Sequence, residues 1–196
     1  MTPVGDVDLI LASGSRYRAE LLARIAPRFR QVSAQTDEAP RPGEAALELV
    51  ARLARAKADA VAAAHPGSVV IGSDQVAELD GAAMGKPGSR DAAIAQLTAM
   101  SGREVVFRTA LSLAHGDGRR LDEEDVTTVR FRRLDAGEIA RYIDAEAPLD
   151  SAGSFKSEGL GIALFDAIES RDPTALVGLP LIATTRLLRK AGFRVP

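Results

Sequence analysis

Val69-Val70-Ile71-Gly72-Ser73-Asp74-Gln75 runs three β-branched apolar residues into a glycine, a serine and an acid. A short continuous apolar run of this kind reads as a strand buried on both faces, as in sheets covered by helices on either side. Ligands of open α/β sheets collect beyond the carboxyl ends of such strands. The stretch therefore points to a fold class and also offers Asp74 as a metal ligand or general base. A turn aspartate is the plainer reading of an isolated acid, but Asp37 and Glu38 in Thr36-Asp37-Glu38 form a second acidic pair in a loop after a strand. Two carboxylates converging on one site suit Mg²⁺ or Mn²⁺, which favour oxygen ligands and keep waters.

Working outward, Leu9-Ile10-Leu11-Ala12 reads as another buried strand, and Ser15 as the N-cap of a helix over 17–25 stopped by Pro27. A strand is expected over 29–33, a turn-rich stretch over 35–43, and a long alanine-rich helix over 44–64 that ends at His65-Pro66-Gly67. After the central strand, Asp80-Gly81 marks a hairpin turn. A helix is expected over 91–100, and two long strands over 105–113 and 126–134. Asp135 caps a helix over 135–145, with Glu138 completing a capping box. A glycine-rich segment then leads to a strand within 159–168, and a last helix over 176–191 is interrupted near Pro180. Strands and helices interleave with one antiparallel pair, which predicts a single α/β domain over 1–196 with a mixed sheet.

Composition removes several function classes. There is no cysteine, so thiolate catalysis, disulfides and cysteine zinc sites are absent. A net charge of -2 disfavours a duplex-DNA binder, which needs a basic face, and paired aromatics for stacking on single strands are missing. No apolar run approaches the roughly 20 residues of a membrane span. Residues 1–8 carry two acids and no Lys or Arg, unlike an export signal. These features together predict a cytoplasmic protein that meets neither nucleic acid nor membrane.

Of 25 basic residues only four are lysine: Lys57, Lys86, Lys156 and Lys190. Where arginine is the default cation, a retained lysine suggests a need for a compact ammonium; Lys190, beside Arg189, reads as chance. Lys57 shares a helical face with Leu49, Leu53 and Val61, where it either snorkels to solvent or works. Lys86 lies in the tight Gly85-Lys86-Pro87 and Lys156 in the small-residue stretch 153–159. Ser13-Gly14-Ser15-Arg16-Tyr17-Arg18 places small residues and a bidentate donor, Arg18, at a strand-to-helix junction, where backbone N–H groups can receive phosphate. The alternative there is a capped helix with solvated arginines. Three lysines, Arg18 and two acids form a set suited to a triphosphate and a metal. His65 and His115 read as ordinary surface residues.

These segments together resemble the Maf-like nucleotide pyrophosphatases over nearly the whole chain. The resemblance rests on the order and spacing of residues 9–15, Thr36-Asp37-Glu38, residues 53–57, residues 71–76, Gly85-Lys86-Pro87, residues 96–102 and residues 172–180. It implies a fold like that of the inosine triphosphate pyrophosphatases, with a central mixed sheet, flanking helices and two lobes around a cleft, and commonly a homodimer. It implies Asp74 as the catalytic carboxylate and a divalent cation (Mg, Mn or Co) as cofactor. Ser13, Arg18, Glu38, Lys57 and Lys86 fall on the family's phosphate and metal positions. Arg16 departs from the family, which often has proline there.

Within the family, the resemblance further implies a substrate. Branches that act on dTTP and UTP tend to carry arginine at the position of Tyr17 and glutamine at that of Glu158. Tyr17, Gln75 and Glu158 here are similar to the subfamily that hydrolyses 7-methyl-GTP. The chemistry agrees: a cationic methylated guanine stacks on an electron-rich ring, and its two N–H donors match a carboxylate. The expected activity is hydrolysis of 7-methyl-GTP to the monophosphate and pyrophosphate. The competing expectations are a dTTP/UTP pyrophosphatase and a nucleotide-binding regulator of septum formation.

Overall fold

A computed structural model describes residues 7–195, and residues 1–6 of the acidic opening stretch lie outside the described residues. In chain order the elements are β1 (Leu9–Leu11), α1 (Arg16–Ala23), β2 (Arg30–Gln31), α2 (Ala46–Ala64), β3 (Val69–Leu79), β4 (Ala82–Met84) and α3 (Arg90–Met100). They continue with β5 (Glu104–His115), β6 (Arg120–Phe131), α4 (Ala136–Glu146), β7 (Phe165–Ser170) and α5 (Leu181–Lys190). The chain forms two compact units. One takes residues up to Asp74, Thr109–Asp125 and residues from Asp172 onward, and the other takes Gln75–Arg108 and Val126–Arg171.

The first unit is a sheet covered on both faces. β1 pairs in parallel with β2 and β3, with Ile10 opposite Arg30 and Leu11 opposite Ile71. Successive side chains point to opposite faces, and this sorts the apolar runs. Ile10, Ala12 and Val70 pack with Ala58 and Val61 of α2. Leu9, Leu11, Val69 and Ile71 share the other cluster with Leu22 of α1 and Leu188 of α5. Gly72 sets how closely α2 approaches the sheet: a Cβ there would stand 2.2 Å from Ala54 O and 2.8 Å from Ala58 N. Only glycine leaves room for that turn of helix, and the turn carries Lys57.

The second unit is antiparallel. Asp80 and Gly81 take φ of 52° and 80°, as a two-residue I′ hairpin requires, and Leu79 pairs with Ala82. β6 pairs antiparallel with β7. The core holds Phe107, Phe131, Phe155 and Phe165, edge to face with ring centroids 4.8 to 5.7 Å apart. The capping box of α4 is formed as its sequence suggests, with Glu138 N donating to Asp135 Oδ1 at 2.8 Å and Asp135 N to Glu138 Oε2 at 2.9 Å.

Neighbouring strands run β2-β1-β3-β5-β6-β7, with β4 added to β3, which makes one mixed seven-stranded sheet with flanking helices. The α/β class read from the sequence is the observed one. Three details differ. β3 does not end at Gly72 but continues through Asp74 to Leu79, because Val76, Ala77 and Leu79 remain buried and the chain turns only at Asp80-Gly81. Asp74 is therefore a mid-strand residue, not one at a carboxyl end. Both β3–β4 and β6–β7 are antiparallel, where the sequence predicts one such pair. The last helix starts only at Leu181, with Pro180 at its N-cap, since proline lacks the N–H that would continue a helix from Ala175–Val177.

Candidate active site

Asp74 and Lys57 meet in the first unit because a strand and a helix are pressed together at Gly72. Lys57 is 7% exposed, on the α2 face that also buries Leu49, Leu53 and Val61, and Asp74 is 9% exposed. The Lys57 ammonium donates to Asp74 Oδ1 at 2.6 Å and lies 2.6 Å from Glu38 Oε1. Burying an unpaired ammonium would cost several kcal/mol; two carboxylates in contact offset that. Lys57 is thus paired inward and does not snorkel to solvent. Both carboxylates touch one nitrogen, which makes Glu38 and Asp74 the acids that would hold a cation here. The donors are all oxygen and number two, which suits an ion of the Mg²⁺ type that completes its shell with waters and substrate phosphate. Among the described residues no cluster of three or more His, Cys, Asp or Glu forms a self-sufficient metal cage.

Glu38 lies on an irregular segment tied down by Arg52 of α2. The Arg52 guanidinium donates Nε to Glu44 Oε1 at 2.6 Å, and Nη2 to Glu44 Oε2 at 2.7 Å and Ala39 O at 3.0 Å. Hydrogen bonds from Arg52 first, and then from the Arg41 N–H, hold the Glu44 carboxyl down at about 2. A folded-state value below the unfolded value of about 4.3 means that this anchor is fully present above that pH and is lost as pH falls through about 2. Amides of residues 38–44 should therefore lose hydrogen-exchange protection across that window, and Glu44→Gln should have lost it already at neutral pH. Equal protection in the variant and the wild type at neutral pH would remove Glu44 from this role.

The Ser13–Arg18 junction is braced more heavily than its sequence suggests. Ser13 Oγ accepts from Ser15 N at 3.1 Å, and Ser15 caps α1 by accepting from Arg18 N at 3.3 Å. Gln31, which carries no motif that would mark it in the sequence, donates Nε2 to Ser13 O at 2.8 Å and to Ser15 O at 3.2 Å. Arg18 points inward, with Nη1 donating to Ser73 O at 2.7 Å and Nε to Gly178 O at 2.9 Å. Removal from water pushes its pKa below the ordinary value, against the opposing pull of Asp74 and then Glu38. Arg18 therefore lies within electrostatic reach of both carboxylates while spending two of its five N–H donors on backbone carbonyls. Tyr17 is half-buried, and the Arg16 guanidinium lies 5.1 Å from its ring centroid while also pairing with Glu20 at 3.3 Å.

Gln75, Lys86, Lys156 and Glu158 belong to the second unit. Gln75 follows Asp74 within β3, and Lys86 is exposed. Gln96 of α3 donates to Gly85 O at 3.1 Å and accepts from Ser154 Oγ, linking the loops that carry Lys86 and Lys156. The Lys156 backbone N donates to the Tyr142 hydroxyl at 3.0 Å and its Nζ to Glu146 O at 3.2 Å. Burial pushes the Tyr142 phenol well above its usual range, so it stays protonated. Glu158 is exposed. His115 is half-buried and is pushed below its usual value, first by burial and then by Arg119. The residues that sequence reasoning passes over are Gln31, Gln96, Ser73 and Gly178. Ser73 and Gly178 stand inside the motifs quoted above without a role there.

Comparison with known proteins places these residues in a family context. The family described as Maf-like protein matches residues 8–191. A Xanthomonas oryzae pv. oryzae protein named 7-methyl-GTP pyrophosphatase is 61% identical over 188 residues, covering 96% of this chain and 98% of that protein. Proteins of the same name from Burkholderia thailandensis (57% identical; 94% and 88% covered) and Bordetella pertussis (55%; 94% and 92%) are also similar. Among solved structures, the Staphylococcus aureus Ham1 protein aligns with a TM-score of 0.48 at 19% identity, covering 63% of this chain and 71% of that one. Among the described residues no helix is long and apolar enough to cross a membrane.

Proposed function

This chain belongs to the Maf-like protein family, and on that premise we propose that it is a nucleoside triphosphate pyrophosphatase that hydrolyses 7-methyl-GTP to the monophosphate and pyrophosphate. The observation that carries the reading is the buried Lys57 ammonium bound at 2.6 Å to both Asp74 and Glu38. That arrangement fixes two carboxylates in place, as a group positioned to take a proton from water must be. The proposed proton acceptor is Asp74, whose Oδ1 is committed to Lys57, leaving the other oxygen to face the attacking water. Water adds to the α-phosphorus in line with departing pyrophosphate, and its proton passes to Asp74. Ser13, Arg18, Lys57, Lys86 and Lys156 are proposed to stabilise the growing phosphate charge, and such fixed electrostatic stabilisation normally supplies most of the rate enhancement in reactions of this kind. A divalent cation (Mg²⁺, Mn²⁺ or Co²⁺) held by Glu38 and Asp74 would supply further positive charge against the phosphates.

The choice of 7-methyl-GTP is supported by the names of relatives at 55 to 61% identity and by three residues of this chain. Tyr17 is half-buried and offers a ring face. Glu158 is an exposed carboxylate suited to the paired N–H donors of guanine, and Gln75 adjoins Asp74. Stacking a cationic base on tyrosine contributes about 1–2 kcal/mol when desolvated, and leaving buried donors unpaired costs about 1–3 kcal/mol.

Purified protein assayed for pyrophosphate release, with added Mn²⁺ and with a chelator, should show its highest kcat/KM on 7-methyl-GTP among that nucleotide, GTP, dTTP and UTP. It should lose turnover with the chelator. The double variant Tyr17→Arg with Glu158→Gln should shift the preference toward dTTP and UTP by roughly tenfold or more. A wild type that prefers a pyrimidine triphosphate, or a double variant with an unchanged order, would overturn the substrate assignment. The proposal extends to a cytoplasmic homodimer, whose assembly light scattering on the same preparation decides.

A further inference from the structure

We propose that Ser73, Arg18 and the carbonyl of Gly178 form a positioning device for Asp74, and that Arg18 acts through this device in addition to its charge toward phosphate. Ser73 is completely buried and immediately precedes Asp74 on β3. Alternation along the strand sends the two side chains to opposite faces. Asp74 is held from one face by Lys57, and Ser73 from the other by Gly178: Ser73 Oγ donates to Gly178 O at 2.9 Å. The same carbonyl accepts from Arg18 Nε at 2.9 Å, and Arg18 Nη1 closes the ring by donating to Ser73 O at 2.7 Å. One carbonyl oxygen and one guanidinium thus fix the main chain of the residue before the proposed base.

The acceptor is itself rigidly placed. Gly178 has φ 107°, a left-handed conformation that side chains avoid, and a Cβ there would stand 3.1 Å from Arg18 Nε. The loop before it is pinned by Asp172, whose carboxylate accepts from Thr174 N at 3.0 Å and from Ile182 N at 2.6 Å. Thr174 Oγ1 in turn accepts from Leu181 N at 2.8 Å. These bonds cap the first-turn amides of α5, whose N-cap Pro180 offers no side-chain acceptor, and they hold the loop that presents the Gly178 carbonyl to Ser73 and Arg18.

The inference rests on Asp74 being the proton acceptor, and its test separates the two ideas. In Ser73→Ala, kcat for triphosphate hydrolysis should fall on the order of 10–100-fold, the scale of a small misplacement of a catalytic group, while KM stays within about twofold. Hydrogen exchange at the amides of residues 73–75, measured without nucleotide, should accelerate at least about tenfold with the melting temperature little changed. Arg18→Lys, whose single nitrogen does not reproduce the planar fork, should lower kcat and show the same accelerated exchange at residues 73–75 without nucleotide. Unchanged exchange at residues 73–75 in Arg18→Lys would confine Arg18 to phosphate and overturn its part. Unchanged kcat and exchange in Ser73→Ala would overturn the device altogether. If the wild type hydrolysed no triphosphate, the functional proposal would fail, while the exchange measurement would still decide whether the device holds residues 73–75.

Discussion

Asp74→Asn should lower kcat for triphosphate hydrolysis by about 10²–10⁴-fold, the range over which positioned acid–base catalysis contributes. The amide matches the carboxylate in size, so packing around a residue 9% exposed is kept. What changes is charge: the amide cannot take a proton from water, and it gives Lys57 a neutral partner in place of one of the two anions it contacts at 2.6 Å. Leaving part of that ammonium's charge uncompensated should also cost some stability, though Glu38 remains to pair it. A variant that kept more than about a tenth of the wild-type rate would falsify the proton-acceptor role.

The second large effect is expected at a residue with no functional group. Gly72→Ala inserts a methyl 2.2 Å from Ala54 O and 2.8 Å from Ala58 N, both backbone atoms of α2. Neither can rotate away, so helix and strand must part. Overpacking typically costs about 1–3 kcal/mol and occasionally more, which for a chain of this size predicts a melting temperature lower by roughly 2–12 °C. Because Lys57 lies in the same turn of α2, separation also draws the ammonium from Asp74, and activity should fall beyond what the lost stability explains. The measurements are thermal unfolding and the rate at a temperature where the variant is fully folded. Full activity there would mean that the contact serves packing alone.

Much of this was legible in the sequence because the signals are local. The apolar runs at residues 9–12 and 69–71, the left-handed pair Asp80-Gly81 and the Asp135/Glu138 box each specify structure within a few residues, and each appears where it was read. Lys57 was legible from helical spacing alone: a lysine in register with Leu49, Leu53 and Val61 either escapes to solvent or meets an anion, and it meets two. The continuation of β3 through Asp74 was missed because Gly72 and Ser73 read locally as a strand end, whereas pairing with neighbouring strands decides the length. The inward turn of Arg18 was not legible either. Its acceptors stand 55 and 160 residues away, and a carbonyl carries no side-chain signature by which periodicity could find it.

That separation bears on how the protein is made. A ribosome adding about 5–20 residues per second exposes Arg18 roughly 8–30 s before Gly178 exists for it to grip, across the 160 residues between them. From the moment residue 74 is added until residue 178 follows, Lys57, Glu38 and Asp74 are all present without the brace behind Ser73. Assembly of the site is therefore gated by translation of its final segment, and a chain released before residue 178 would carry Arg18, Glu38, Lys57 and Asp74 without the Gly178 carbonyl that locks the strand.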